Sequence, residues 1–307
     1  MAGMRQAVIV DGYKLGQGSG NVSEPAKLKD GAVIARFTGA LARAFLVVTL
    51  IATPSLMLPS LSADTAQIVA LIALCVGALT FFEYMAVYPG LVEFRDAPPF
   101  NRIRFASLFL TVFLLSTVVA AGDAPSTLTR FVEVLGGSMA RSIDLPYSPV
   151  RLLVLMLPPE ATPEHVVQVR TAGGLAYMIS LITLGYFVLI MRMLGWPNAQ
   201  GSFNVWVNLP TFEPTAGADV VARLRRDARF NVALGFLLPF LIPAALKAIS
   251  LGFAPVTLQA PHTLIWTVTA WAFLPASLFM RGIAMGRIAN MIEEKRRHSD
   301  ISDFAPA

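Results

Sequence analysis

Residues 66–88 read AQIVALIALCVGALTFFEYMAVY, an apolar stretch in which Glu83 is the one charged side chain. A membrane-spanning helix needs about 20 predominantly apolar residues, because the hydrocarbon layer is about 30 Å thick and a helix rises about 1.5 Å per residue. The stretch meets that length, and its apolar residues are continuous instead of alternating with a period of two. The pattern therefore predicts a transmembrane helix and not a strand of a membrane barrel.

The composition of the whole chain agrees with this stretch. Of the 307 residues, 55% are hydrophobic and 14% are charged, whereas about a quarter of the residues of a typical soluble domain are charged. The mean hydropathy of the chain is +0.64. We therefore expect the lipid bilayer to be its main partner, and we expect no nucleic-acid partner.

Six stretches approach or exceed the length that crosses a bilayer, and they predict an all-α polytopic membrane protein. The predicted spans are 37–58, 66–88, 103–121, 172–193, 230–253 and 264–288. They divide the chain into a flexible N-terminal segment, 1–36, a six-helix membrane domain, 37–290, and a C-terminal tail, 291–307.

The charge of the connections predicts the orientation, because short loops rich in Lys and Arg stay in the cytoplasm. The loops 89–104 and 194–229 and both ends of the chain are basic, whereas the connections 60–65 and 254–263 contain neither Lys nor Arg. The external connection 122–171 has four arginines, but its five acidic residues balance them. Both termini are thus predicted to be cytoplasmic. Nineteen arginines against five lysines, in an Ala-rich chain, favour a bacterial protein of the inner membrane.

The external connection contains three helix signals. Residues 125–140 have the composition of a short helix, and the apolar run 148–157 is too short to span, so it predicts an interfacial or re-entrant helix. Thr162, Pro163 and an acidic first turn then predict that the fourth span begins outside the membrane and runs to residue 193.

The loop 194–229 combines aromatic residues with a basic helix. Trp196, Phe203, Trp206 and Phe212 suit the lipid headgroup layer. Residues 219–229 predict a helix with arginines on one face, and two interpretations remain open. The helix either lies on the inner leaflet and binds anionic lipid headgroups, or it is a solvated extension of the fifth span. The arginines concerned are Arg223, Arg225, Arg226 and Arg229.

An ionisable side chain in a span is costly, so Glu83 is a functional candidate. Arg43 and Arg281 are predicted near the same membrane face, and an ion pair with either of them would satisfy the acid. We expect such a structural pair in preference to a catalytic or proton-carrying acid.

The polar turn 93–104, EFRDAPPFNRIR, supplies the remaining site candidates. We interpret it first as a charged turn that sets topology, since its two prolines end any helix there. Its acids and Glu83 are nevertheless the candidates for a general base, and its basic and amide side chains are candidates for a phosphate or partner contact. The catalytic candidates are Glu83, Glu93 and Asp96, and the binding candidates are Arg95, Asn101, Arg102 and Arg104.

Cofactor chemistry has little support in the sequence. Cys75 is the single cysteine, and the three histidines lie outside the predicted membrane core or near its edge. The HExxH, GxSxG and nucleotide-binding loop motifs are absent from the sequence. We therefore expect neither a metal nor a cofactor.

The absence of a catalytic motif and of a charge at the bilayer midplane favours a non-catalytic protein. Our leading hypothesis is an accessory, assembly or scaffold subunit for other membrane proteins. The alternatives are a small-molecule transporter with a cavity lined by Glu83 and a lipid-modifying enzyme acting at the cytoplasmic leaflet. The sequence thus favours a protein that is not an enzyme, and it leaves the partner or substrate open.

Overall fold

A computed structural model describes residues 26–58, 62–88, 90–121, 125–197, 208–210, 212, 219–250 and 257–303. These ranges are all-helical, and six of their helices are long and apolar enough to cross a membrane, which confirms the predicted fold class. The helices are α1 (Ala26–Met57), α2 (Ala63–Met85), α3 (Phe100–Val119), α4 (Thr127–Ile143), α5 (Pro149–Leu155), α6 (Pro163–Met193), α7 (Val220–Ser250) and α8 (Pro261–Asp303).

Several helices extend beyond the predicted spans. The first helix begins at Ala26, within the segment predicted to be flexible, and α8 continues to Asp303, within the predicted tail. An apolar stretch marks the part of a helix that lies in lipid, and nothing in the polar flanks stops these two helices. The prediction of a flexible start also covers residues 1–25, which lie outside the described residues.

Four helices begin with a hydroxyl side chain that accepts a hydrogen bond from the backbone N–H three residues later. These caps are Ser62 for α2, Ser126 for α4, Ser148 for α5 and Thr162 for α6, with O–N distances of 3.1 to 3.3 Å. Such a bond satisfies one of the backbone donors that a helix start leaves free. The predicted start of the fourth span at Pro163 is confirmed.

One hydrophobic core lies where α4 and α5 meet the membrane helices, at what we name the α4–α5 end. Two adjacent glycines of α6 allow α4 and α5 to pack closely against α6. A Cβ atom at Gly173 would lie 2.6 Å from Leu153 Cδ2 of α5, and one at Gly174 would lie 2.5 Å from Ala140 Cβ of α4. Val150 and Leu153 are fully buried against this core, so one face of α5 packs on protein. That α5 is an interfacial or re-entrant helix stays a prediction.

The last two helices form a long antiparallel pair. Gly282 of α8 faces α7 so closely that a Cβ atom there would lie 2.7 Å from the Ala228 carbonyl oxygen. With 31 and 43 residues, α7 and α8 are about 46 and 65 Å long, well over the thickness of the hydrocarbon layer. We name the projecting part, residues 219–230 and 285–298, the stalk. The predicted basic helix is thus the extension of the fifth span.

A second hydrophobic core lies at the opposite end, where α2 and α6 finish, which we name the basic end. Segment 90–99 and the described parts of the loop after α6 pack there against α3, α7 and α8. Trp196 and Phe212 are buried in this core, so the prediction that they lie in the headgroup layer is wrong. Phe203 and Trp206 lie outside the described residues.

Candidate functional site at the basic end

Glu83 holds the chain as it leaves α2. Its Oε1 accepts hydrogen bonds from the backbone N–H groups of Gly90, Leu91 and Val92 at 2.8, 2.7 and 2.9 Å, and its side chain is buried. Three donors satisfy a carboxylate without a cation. The expected ion pair of Glu83 with Arg43 or Arg281 is therefore wrong. The Glu83 carboxylate instead stabilises the turn after α2 through these backbone hydrogen bonds.

Arg95 occupies the C-terminal end of α2. Its Nη1 donates to the carbonyl oxygens of Glu83 and Ala86 at 2.9 and 2.8 Å, and its Nη2 lies 3.2 Å from a carboxylate oxygen of the exposed Asp96. A helix end leaves carbonyl groups without intrahelical donors, and a cation there also meets the negative end of the helix dipole. Arg95 is thus a helix cap, and its predicted contact with a phosphate or partner gains no support.

Glu93 joins the same turn to α8. Arg281 donates to both of its carboxylate oxygens, from Nε at 2.6 Å and from Nη2 at 2.8 Å. Asn101 Nδ2 donates to the Glu93 carbonyl oxygen at 2.7 Å. Glu93, a candidate general base, and Asn101, a candidate binding residue, therefore both stabilise the fold of the basic end.

Asn208 is a residue of this site that the sequence did not reveal. Its backbone oxygen accepts from the Phe94 N–H at 2.7 Å, and its Oδ1 accepts from the Asp96 N–H at 3.3 Å. Phe94 has a φ of +54° and is buried with its ring centroid 4.2 Å from that of Phe100. A phenylalanine keeps this conformation only where its surroundings enforce it. Asn208 and the aromatic core supply that constraint.

Arg287 of α8 caps the C-terminal end of α6, as Arg95 caps that of α2. Its Nη1 donates to the carbonyl oxygens of Met191 and Trp196, at the C-terminal end of α6. Two helix ends at the basic end are thus capped by arginines from other segments. Arginines counted in the sequence as topology signals are also structural parts of the folded end.

Two of the arginines predicted to bind lipid headgroups, Arg223 and Arg225, instead contact other residues of the protein. Arg225 forms an ion pair with Glu293 of α8, and the Arg223 guanidinium lies 5.0 Å from the Phe212 ring centroid. At the tip, Arg296 hydrogen-bonds to Asp219 and thereby lowers the pKa of that carboxyl group. Arg226 and Arg229 remain exposed, as a contact with lipid headgroups or a partner requires.

Arg102 and Arg104 both lie near the start of α3 and differ in their surroundings. Arg102 is exposed. The Arg104 side chain is largely covered, its guanidinium lies 5.4 Å from the Phe100 ring centroid, and its buried Nε has no hydrogen-bond partner within the described residues. Of the predicted phosphate contacts, Arg104 is the one with a buried and unsatisfied donor.

Chemical groupings at other places in the described residues are few. No set of three or more His, Cys, Asp and Glu side chains there could hold a metal ion. At the α4–α5 end, a cleft of about 780 Å³ between α3, α4 and α6 is lined by Glu133, Arg141 and Glu164 among others.

No protein-family model, no curated protein and no solved structure matches the chain. What the protein does must therefore follow from its own residues and their arrangement.

Proposed function

We propose that the chain is a non-catalytic protein of the bacterial inner membrane that serves as an accessory, assembly or scaffold subunit for other membrane proteins. In this proposal the basic end lies in the cytoplasm and is the docking platform. The observation that carries the proposal is the second hydrophobic core, in which loop segments and the stalk pack together with the adjoining ends of α3 and α6. A fixed surface of this kind suits the binding of a partner, because little ordering entropy is lost on association.

The distribution of arginines supports the orientation. Arg36, Arg95, Arg102, Arg192 and Arg287 all lie at the basic end. Positive residues close to the ends of spans favour the cytoplasmic side. The two caps at the ends of α2 and α6 add a structural reason for keeping these arginines on that side.

The contacts of the candidate acids support a structural role. Glu83 is bound by three backbone N–H groups, Glu93 is bound by Arg281, and Asp96 lies beside Arg95. A general base or a proton carrier must exchange its proton with a substrate or with water. Acids that are already held by the fold favour a scaffold over a transporter or a lipid-modifying enzyme.

The exposed face of the stalk indicates the chemistry of the partner. Arg226, Arg229 and Arg297 are exposed there, and Arg226 has one acidic neighbour, Asp227, at 3.5 Å. A patch of this sign attracts an acidic surface and speeds the encounter with it. The proposed partner is therefore a membrane protein with an acidic cytoplasmic surface.

Photocrosslinking in native membranes tests the proposal. A benzoylphenylalanine residue at position 229 is expected to give one discrete crosslinked protein, and Arg226→Glu is expected to weaken that band. Position 130, on the exposed face of α4 at the opposite end, is the matched control. Equal crosslinking from both positions, or a discrete band that Arg226→Glu leaves unchanged, contradicts the proposed platform.

A further inference from the structure

Arg104 is half-buried, and the fold covers one of its hydrogen-bond donors without giving it a partner. Its Nε is buried, and no described group accepts a hydrogen bond from it. Its guanidinium contacts the face of Phe100, with 5.4 Å from Cζ to the ring centroid. An aromatic face attracts a cation but does not accept the directed hydrogen bonds of a guanidinium. A half-buried guanidinium is stabilised by a nearby counter-charge.

The acids nearest to this group are already engaged by other arginines: Asp227, which acts on Arg281, lies 3.5 Å from Arg226. Glu93 and Arg281 both act electrostatically on Arg104, but Arg281 already donates to both carboxylate oxygens of Glu93. Two guanidinium groups therefore share one carboxylate. The net charge of this group of three side chains is +1, and it lies at the end of the spans, where a charge is only partly hydrated.

We propose that Arg104 binds an oxyanion, a phosphate group, at the basic end between α2, α3 and α8. A guanidinium is planar and can donate two parallel hydrogen bonds to a phosphate from its terminal Nη groups, for which no hydrogen bond occurs within the described residues. Tyr84 of α2 acts electrostatically on Arg104, and the Arg43 guanidinium lies 4.6 Å from the Tyr84 ring centroid, so Arg43 is a further cation on this side. The phosphate belongs either to the headgroup of an anionic phospholipid or to free inorganic phosphate.

The surroundings of the site favour the lipid. Leu79 and Phe82 of α2 and Leu110 of α3 are between 46% and 69% exposed, and they lie within two turns of Tyr84 and Arg104 along their helices. Exposed apolar side chains beside a cation at the end of a span match the acyl chains and headgroup of one lipid molecule. The site lies at the same end as the proposed docking platform, but retention of a lipid by the purified chain needs no partner protein, so it does not depend on the proposed docking function.

Native mass spectrometry of the purified full chain in detergent tests the site. The probes are phosphatidylglycerol, a diacylglycerol with the same acyl chains, and inorganic phosphate. Wild-type protein is expected to retain phosphatidylglycerol over diacylglycerol, and Arg104→Gln to retain it roughly tenfold less well, because a charged hydrogen-bonded contact is lost. Arg102→Gln, which removes an exposed arginine two residues away, is the matched control and is expected to behave as wild type.

The outcomes distinguish the two sources of phosphate. Binding of inorganic phosphate to lipid-free wild-type protein, weakened by Arg104→Gln, assigns the site to free phosphate, whereas retention of phosphatidylglycerol alone assigns it to the lipid. Equal retention of phosphatidylglycerol by wild type and Arg104→Gln overturns the proposal. If Arg104→Gln does not fold, Arg104→Lys replaces it: severalfold weaker retention supports the forked contact, and unchanged retention overturns it.

Discussion

Arg281 of α8 and Glu93 of the turn after α2 are 188 residues apart in sequence, yet they share two hydrogen bonds of 2.6 and 2.8 Å. The pair ties a connecting turn to the longest helix of the protein. It is one of several contacts by which the basic end becomes a folded unit, together with the three N–H groups on Glu83 and the Asn208 bonds. The Arg281 and Glu93 side chains are 27% and 15% exposed.

Loss of Arg281 should destabilise the basic end. Arg281→Gln removes both hydrogen bonds that the largely buried Glu93 receives from the Arg281 guanidinium, and we expect the free energy of unfolding to fall by about 2–3 kcal/mol, below the range for a fully buried pair because both groups retain some solvent. Denaturant unfolding in detergent micelles measures the change. The control is Arg225→Gln, which breaks the exposed pair with Glu293 and should cost under about 1 kcal/mol. Equal costs for the two variants would contradict the assigned role.

Loss of the Glu83 carboxylate should loosen the turn that follows α2. In Glu83→Ala, the N–H groups of Gly90, Leu91 and Val92 lose their acceptor, and we expect their amide hydrogens to exchange at least about tenfold faster, since each lost bond is worth about 1 kcal/mol or more. Hydrogen exchange followed by mass spectrometry measures this. Glu164→Ala, at an exposed acid of α6, should leave the exchange of these amides unchanged.

Substitution by alanine at two glycines of α6 is expected to have opposite effects on stability. A Cβ atom at Gly174 would lie 2.5 to 2.8 Å from Cβ, Cα and N of Ala140, and backbone atoms cannot move aside without shifting α4. Gly174→Ala should therefore lower the melting temperature, at a cost of about 1–3 kcal/mol. At Gly185 a Cβ atom meets nothing within 4 Å, so Gly185→Ala should be neutral or stabilising by up to about 1 kcal/mol. A stable Gly174→Ala variant would show that α4 does not pack as described.

The tip of the stalk should loosen in acid. The hydrogen bond from Arg296 lowers the pKa of Asp219 below its ordinary value of 3.8. An acid whose pKa is lower in the folded state contributes stability above the unfolded pKa and loses it as the pH falls through the folded pKa. We therefore expect amide exchange in residues 220–223, corrected for intrinsic rates, to rise below a pH of about 4. Asp219→Asn should show the fast exchange already at neutral pH and little further change on acidification.

The sequence predicted the spans well because hydropathy is a local property. The start of α6 was also predictable, since Thr162 and Pro163 are helix-start signals that act within one turn. The ends of α1 and α8 were missed, because an apolar run reports the lipid layer and a helix can continue beyond it. For the same reason the interpretation of residues 219–229 stayed open until α7 was seen to be continuous.

The candidate site was less predictable, because its contacts join distant segments. Glu83 was recognised as a buried acid, but its partners are backbone N–H groups, which have no signature in a sequence. Arg281 and Glu93 were each noticed, yet nothing local indicates that a turn after α2 meets α8. Asn208 and Arg287 were not singled out, since their roles depend on how two connections come together.

The measurement that tests the central claim most directly is the native mass of the complex gently extracted from its own membrane. A scaffold subunit is expected to be recovered with one protein partner in a fixed ratio, and that partner is expected to be lost in the double variant Arg226→Glu and Arg229→Glu, while Arg130→Glu retains it. Recovery of the chain without a stoichiometric protein partner, together with solute uptake or lipid turnover by the purified protein in vesicles, would contradict the account.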